Sequence, residues 1–466
     1  MNINISRVRE ETQGFFMGKY YPIAVAVLVT LGHITGLEVI FCIFNVLLAA
    51  LALCVCNSIR PLYIVFITFS YQVTKAHSPA IPAFSDYYFT GWRLPVVIIL
   101  GAVALFGIVY FIVKNRLIFK LNFRKTRLLL PLLALSAAFL LGGTFSETHS
   151  VKGLIFGATQ VLTYLVVFML FYLGLSEDER AEDTVDYLVY IALVVAYMLM
   201  AQMLHLFVFG DAISGGGINK DNINLGWATA NPLGAIFVSL IPLLFYGAVR
   251  KKNGWLYLVT ATLTWVFGVL TCSRNTMLFG TLIFVACLLL SCFKGGERKK
   301  RFIGLLSFGA VSCLVLVIFF RQELATVFKS FAQLGFDNNG RFKVWAQAWG
   351  LFCRNPLFGS GFFSIVDPDI YVAVEAMPTM AHNTIFELLA GTGFFGICAY
   401  SYYRIEILAM AFRRPSLQKT LLTAATLTVA LQSLLDGFVF FYYPVFMPLA
   451  ALAVLCRVCD SQEKTE

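Results

Sequence analysis

The sequence predicts an all-α fold, a polytopic helical membrane protein, and three observations carry that prediction. Of 466 residues, 59% are hydrophobic and only 13% charged, about half the charged share of a water-soluble domain. Apolar stretches of about 18 to 23 residues recur from end to end, each long enough at about 1.5 Å per residue to cross a hydrocarbon core of about 30 Å. The basic residues collect in alternate gaps between these stretches. A chain that weaves through a bilayer has this charge pattern, so the net charge of +10 describes topology and not a nucleic-acid surface.

Spans are expected near 20–36, 37–57, 59–75, 93–113, 127–143, 153–175, 185–209, 229–249, 254–272, 275–293, 301–320, 383–404, 417–436 and 439–458. The first follows a charged start (Arg7, Arg9, Lys19) and lacks a small-residue cleavage site, so it reads as a retained helix and not as a removed signal peptide. Fourteen spans is the full count, and twelve or thirteen result if the first two, parted only by Gly36, form a re-entrant pair. With the N-terminus inside, the basic clusters 114–127, 250–252, 294–301 and 404–419 face the cytoplasm. Of the 35 Lys and Arg, 25 then lie inside and 10 outside, as the positive-inside rule requires. The expected organisation is a cytoplasmic segment 1–19, membrane helices with short loops over 20–320, and an extracytoplasmic catalytic loop at 321–382. C-terminal membrane helices over 383–458 and a cytoplasmic tail 459–466 complete it. Most of the eleven cysteines lie in apolar runs (Cys42, Cys54, Cys56, Cys287, Cys313, Cys398), where Cys acts as a small hydrophobe. Only Cys272 and Cys353 are placed to reach the outside.

The segment 321–382 is the one long hydrophilic stretch, and long loops in compact proteins usually carry function. Leu324, Val327, Phe328, Phe331 and Leu334 recur at helical spacing, as do Trp345, Trp349 and Phe352, which predicts two amphipathic helices on the membrane surface. Turns are expected at 337–340 (Asp-Asn-Asn-Gly) and at 355–361 (Asn-Pro through Gly-Ser-Gly).

Chemistry-bearing residues gather in these outside segments. Where the long loop re-enters the membrane, Thr384 and Glu387 have capping-box spacing, so a helix is expected to start there. A helix start attracts an anion such as a diphosphate, and a neutral His382 beside it is placed to act as a base; the plainer alternative is an interfacial histidine that only bonds the loop. Ser273-Arg274-Asn275 turns between two spans whose other ends are basic, which puts Arg274 outside, against the usual charge bias. It is either a snorkelling arginine or a phosphate clamp, since a guanidinium offers planar, permanent donors to phosphate oxygens. Arg341 opens the Trp345 helix, whose aromatic face is expected on lipid headgroups or sugar, and an ordinary surface arginine is the alternative. Lys220 is a candidate third cation for a diphosphate and Glu147, near His149, a candidate for orienting a base or acceptor; solvated loop residues are the plainer reading for both. His33, His77 and His205 share no metal-ligand spacing. No Walker loop, dinucleotide fingerprint or zincin pair occurs, so neither a cofactor nor a metal is expected.

Taken together, Gly340-Arg341-x3-Trp345, the Asn-Pro-Leu-x-Gly-x-Gly run at 355–361, His382-Asn383 and the upstream Ser273-Arg274 resemble the O-antigen ligase and O-antigen polymerase family of bacterial polysaccharide assembly. The likeness covers roughly 220–405. It implies a helical, GT-C-like membrane fold and a metal-independent, inverting glycosyltransferase that takes a glycan from undecaprenyl diphosphate outside the bacterial cytoplasmic (inner) membrane. Ligases pass the glycan to the lipid A core, and polymerases pass it to another lipid-linked unit. The resemblance assigns the diphosphate to Arg274 and Arg341 and the base to His382, with Asn383 completing that motif. Where the family has an arginine before the span at 229, this sequence offers Lys220. The partners implied are the lipid-linked glycan, the acceptor and the bilayer, with no nucleic acid. A flippase for the same lipid-linked sugars is the alternative from another class; it lacks the inverted repeats that transporters commonly show.

Overall fold

The computed structural model describes residues 5–77, 84–123, 125–214, 217–319, 341–365 and 381–463. Fifteen helices matter for the site: α1 Tyr20–Thr35, α2 Glu38–Val55, α3 Leu62–Thr68, α4 Arg93–Lys114, α5 Leu129–Leu141, α6 Val151–Leu173, α7 Ala181–Phe209, α8 Ala230–Arg250, α9 Gly254–Leu270, α10 Arg274–Lys294, α11 Lys299–Phe319, α12 Arg341–Arg354, α13 Thr384–Phe412, α14 Leu417–Gln432 and α15 Tyr442–Glu463. Apart from α12, each coincides with an expected span. A two-residue antiparallel ladder, Ile213–Ser214 with Gly217–Ile218, is the small exception to the helical fold. The expected stripe at 324–334 and the turn at 337–340 lie outside the described residues.

Fewer helices than the fourteen expected stretches meet a length and hydropathy criterion for a span. Among the described residues, eight helices are long and apolar enough to cross a membrane, or nine if the bent pair Val8–Met17 and Tyr20–Thr35, at 64° to each other, is one span. Three expected spans correspond to shorter apolar helices, Leu62–Gln72, Leu129–Leu141 and Gly254–Leu270. Hydropathy runs on through residues that are not helical, such as the turn after Leu141, and so overstates helix length there.

The bundle is organised around α8. It packs against α7, α9, α10, α14 and α15 and its apolar window is wholly buried, whereas that of α4 is only 11% buried. Close approach to α10 needs a glycine: a Cβ on Gly234 would lie 2.0 Å from Thr276 Oγ1. Helix starts follow side-chain chemistry, with Ser150, Ser273 and Ser416 accepting from the backbone N–H three residues on.

The 355–361 run has a structural use. Helix α13 breaks at Gly393 (φ 66, ψ −158), and the run fits into the break. Phe394 N–H donates to Pro356 O (2.8 Å) and Phe395 N–H to Leu357 O (3.1 Å); Ser360 N–H and Gly361 N–H donate to Ala390 O and Gly391 O. Gly143 N–H donates to Phe358 O at 2.9 Å. Backbones approach so closely that a Cβ on Gly393 would stand 2.5 Å from Gly359 N, and one on Gly143 would stand 2.6 Å from Gly361 Cα. Gly393→Ala combines a conformation open essentially to glycine with a backbone clash. It should cost at least about 2 kcal/mol, read as a lower thermal unfolding midpoint of the purified protein. Gly350→Ala, with open space at its Cβ, should leave the midpoint unchanged or raise it.

Candidate active site

The functional side chains converge on the C-terminal end of α14 and the turn after it. The last carbonyls of a helix have no partner inside the helix, and here the carbonyl of Gln432 and the three that follow it in the turn receive donors from other parts of the chain. Asn275 Nδ2 donates to Gln432 O (2.8 Å), Asn383 Nδ2 to Leu434 O (2.8 Å) and Arg341 Nη1 to Leu435 O (2.9 Å). Thr384 N–H donates to Ser433 O at 2.9 Å.

The next residue is Asp436. Its Oδ1 lies 3.0 Å from His382 Nδ1, and its Oδ2 accepts from Asn231 Nδ2 at 3.2 Å. Gly437 N–H also donates to Oδ1, at 3.1 Å. Asp436 is buried, at 8% side-chain exposure, while His382 is 34% exposed, so the carboxylate is fixed and the imidazole reaches outward. With Nδ1–H held by the carboxylate, Nε2 is the nitrogen that carries the lone pair. His382 has φ +46, a left-handed conformation that costs energy for a side chain of this size. The contacts on both sides hold it there: Trp345 Nε1 donates to Ala381 O (2.7 Å), and Glu387 Oε2 accepts from Ala381 N–H (3.0 Å).

Two expectations about this corner are corrected. The N-cap of α13 is Asn383, whose side chain accepts from Ile385 N–H and Phe386 N–H; Thr384 is already helical, and Glu387 reaches back to Ala381 instead of closing a capping box. Asparagine outcompetes threonine as a cap because its oxygen reaches both donors. In α12 the buried stripe is Val344, Ala348 and Leu351. Trp345, expected on the outer aromatic face, instead stacks on Phe386 (centroids 5.1 Å, 12° between planes) and so braces the corner, while Phe342 and Trp349 are exposed.

Lys220 sits in a short turn that Asn219 caps by accepting from Asp221 N–H. Burial, and after it the charge of Arg274, lowers the Lys220 pKa below the ordinary lysine value; Asp221 and Asp436 oppose the shift, and Arg341 adds to it. Lys220, Arg274, Arg341, Asp221 and Asp436 therefore share one electrostatic neighbourhood, and Asp436 is the carboxylate that also holds the histidine. Arg274 is exposed at the start of α10. Glu147 lies apart, exposed on a loop whose Ser146 and Thr148 bond Asn355 and Ser360.

Asp436 and Asn231 belong to none of the motifs in the sequence. A signal was present, because Asp436 is the only acidic residue between Glu406 and Asp460, and a lone acid in an apolar run is a functional candidate.

A family model described as O-Antigen ligase matches residues 258–401. No curated protein matches the chain. The matched segment contains Arg274, Arg341, the 355–361 run and the His382-Asn383 pair; Lys220, Asn231 and Asp436 lie outside it and reach the same place through the fold. Over this segment the chain is similar to the O-antigen ligase family, in agreement with the resemblance its motifs carry.

Proposed function

We propose that this protein transfers a glycan from a polyprenyl diphosphate, undecaprenyl diphosphate in bacteria, to an acceptor sugar hydroxyl on the extracytoplasmic face of the cytoplasmic membrane. The observation that carries the reading is the carboxylate-held histidine beside the end of α14, with Arg341 bonded to the adjacent carbonyl and Lys220 and Arg274 in the same electrostatic neighbourhood. Clustered cations favour an anion beside them, and a diphosphate leaving group supplies that anion. His382 Nε2 takes the proton of the acceptor hydroxyl as its oxygen attacks the anomeric carbon from the side opposite the diphosphate. The bond from that carbon to the diphosphate oxygen breaks, the electron pair leaves with the diphosphate, and the anomeric configuration inverts. Lys220, Arg274 and Arg341 stabilise the departing charge, and Asp436 keeps Nδ1–H in place and stabilises the imidazolium. With arginines and a lysine at the leaving group, the reaction needs no metal.

Sidedness is supported by the opposite end of the bundle. There Arg127 pairs with Asp460 and Glu463, Lys114 donates to the carbonyls of Cys54, Val55 and Cys56, and Arg298 donates to those of Ala248 and Val249. Those basic ends are what a cytoplasmic face would carry.

The test is transfer in vitro from purified undecaprenyl-diphosphate glycan to a glycolipid acceptor, with the product linkage read by NMR. Inverted product formed at an unchanged rate in EDTA is expected. Loss of transfer in EDTA, or retained configuration, would contradict the mechanism.

A further inference from the structure

The turn that joins α13 to α14 lies at the far ends of both helices from the candidate active site, and a cavity of about 320 Å³ opens beside it. Four basic side chains line the cavity: Arg127, which precedes α5, Arg413 and Arg414 in the turn, and Lys419 in the first turn of α14. One carboxylate, Glu463 at the end of α15, lines it with them. Arg127 holds both Glu463 and Asp460, at 2.6 Å each. Four cations therefore face two carboxylates, an excess of two positive charges. The charges of Arg413 and Arg414 act on the same Glu463, which gathers the group around one space. Arg413, Arg414 and Glu463 are exposed at its rim, so a ligand can enter.

Lys419 is what sets this cluster apart from an ordinary basic span end. The positive-inside bias gathers lysines and arginines at a solvated surface, yet Lys419 is only 2% exposed. Its Nζ donates to Arg413 O and to Gln462 Oε1, and Cys459 Sγ lies beside it. All three partners are neutral, and no carboxylate pairs with Lys419 among the described residues. The first turn of α14 holds no acidic residue, although a helix start favours an anion and disfavours a cation. A buried charge with no counter-charge costs free energy.

We infer that this cavity binds a phosphate group, presented by an anionic phospholipid headgroup or by a soluble phosphate. Clustered cations favour an anion beside them, and the start of α14 adds to the field. Guanidinium donors match phosphate oxygens in a planar fork, and the Arg413 guanidinium has no hydrogen-bond partner among the described residues. Several cations around one space suit an anion whose oxygens point in several directions, as those of phosphate do and those of a carboxylate do not. Both sources can reach the site, because it opens where spans end. Phe412, 76% exposed beside Arg413, offers an apolar flank, and basic pockets between span ends suit lipid headgroups. The inference does not rest on the transfer reaction and concerns the opposite end of the bundle from the proposed diphosphate site.

The experiment measures two probes on the purified full chain in detergent micelles: short-chain phosphatidylglycerol, retained adducts of which are read by native mass spectrometry, and radiolabelled inorganic phosphate, read by equilibrium dialysis. Phosphatidylcholine is the uncharged-headgroup control for the first. Expected is saturable binding of at least one probe, and Arg413→Gln should weaken it about ten-fold, the worth of one hydrogen bond to a charged group. Lys419→Met, which removes the buried charge at similar size, should weaken it at least as much, with a melting curve to show that the variant is folded. Lys252→Gln removes the same charge from an exposed site outside the cavity and should change affinity by less than about two-fold. Phosphatidylglycerol that inorganic phosphate does not displace identifies a headgroup site, and displacement identifies a site for soluble phosphate. The inference is overturned if neither probe binds above its control, if Arg413→Gln binds as the wild type does, or if Lys252→Gln weakens binding as much as Arg413→Gln. That last result would mean diffuse surface charge and no site.

Discussion

Replacing His382 by alanine should lower the rate of glycan transfer by about 10² to 10⁴, the usual worth of a positioned general base, while the protein still binds its lipid-linked donor. The assignment rests on the pair it forms with Asp436 and on its outward reach from a fixed corner. Asp436→Asn gives the sharper comparison. It keeps the size of the side chain and a partner for Asn231, but an amide can present N–H to Nδ1 and so favour the wrong tautomer, with a loss of about 10² to 10⁴. A carboxylate with a purely structural role would give a melting shift without this kinetic loss. His382→Ala turning over at the wild-type rate would remove it from the reaction.

Arg341→Ala and Arg274→Ala should each cost about 10² to 10³ in turnover, as expected for a preorganised donor aimed at charge that develops in the transition state. The two are not equivalent. Arg341 already spends Nη1 on Leu435 O, so its loss also frees the carbonyl next to Asp436, and Arg341→Lys should restore only part of the rate because a lysine lacks the planar fork. Lys220 adds a pH dependence whose sign follows from its lowered pKa. As pH rises, Lys220 gives up its proton earlier than an ordinary lysine, so donor affinity should weaken on the alkaline side. Lys220→Arg should extend the plateau to higher pH with little change at neutrality. If donor affinity is flat in pH for both proteins, Lys220 makes no contact with the diphosphate.

Much of the fold was legible because apolar length and charge bias act locally. The helices coincide with the expected spans since a membrane span must be apolar throughout, whatever it packs against. Three helices are shorter than the apolar stretches that contain them because hydropathy does not register where helical backbone stops. The site was legible in part. Arg274, Arg341 and His382 stand in short motifs, but Asp436 pairs with His382 across 54 positions, and no local spacing encodes that distance. The capping residue was misplaced by one because Asn383 and Thr384 are both good caps, and the tertiary bond from Thr384 N–H to Ser433 O decides between them. Trp345 looked like a surface aromatic because its stacking partner, Phe386, arrives from another helix. The Asn-Pro-Leu-x-Gly-x-Gly run was legible as a turn, but not the use of its glycines, which permit backbone-to-backbone packing at the break in α13.

The separation of Asp436 from the matched segment bears on how this protein can be recombined. Residues 258–401 carry two arginines and the histidine, but their partners on α14 and at the start of α8 come from outside that block. A chimera that exchanges 258–401 alone would import a histidine fitted to another protein's carboxylate and helix end. The unit that has to travel together is discontinuous: the block itself, the turn at 432–437 and the entry to α8 at Asn231.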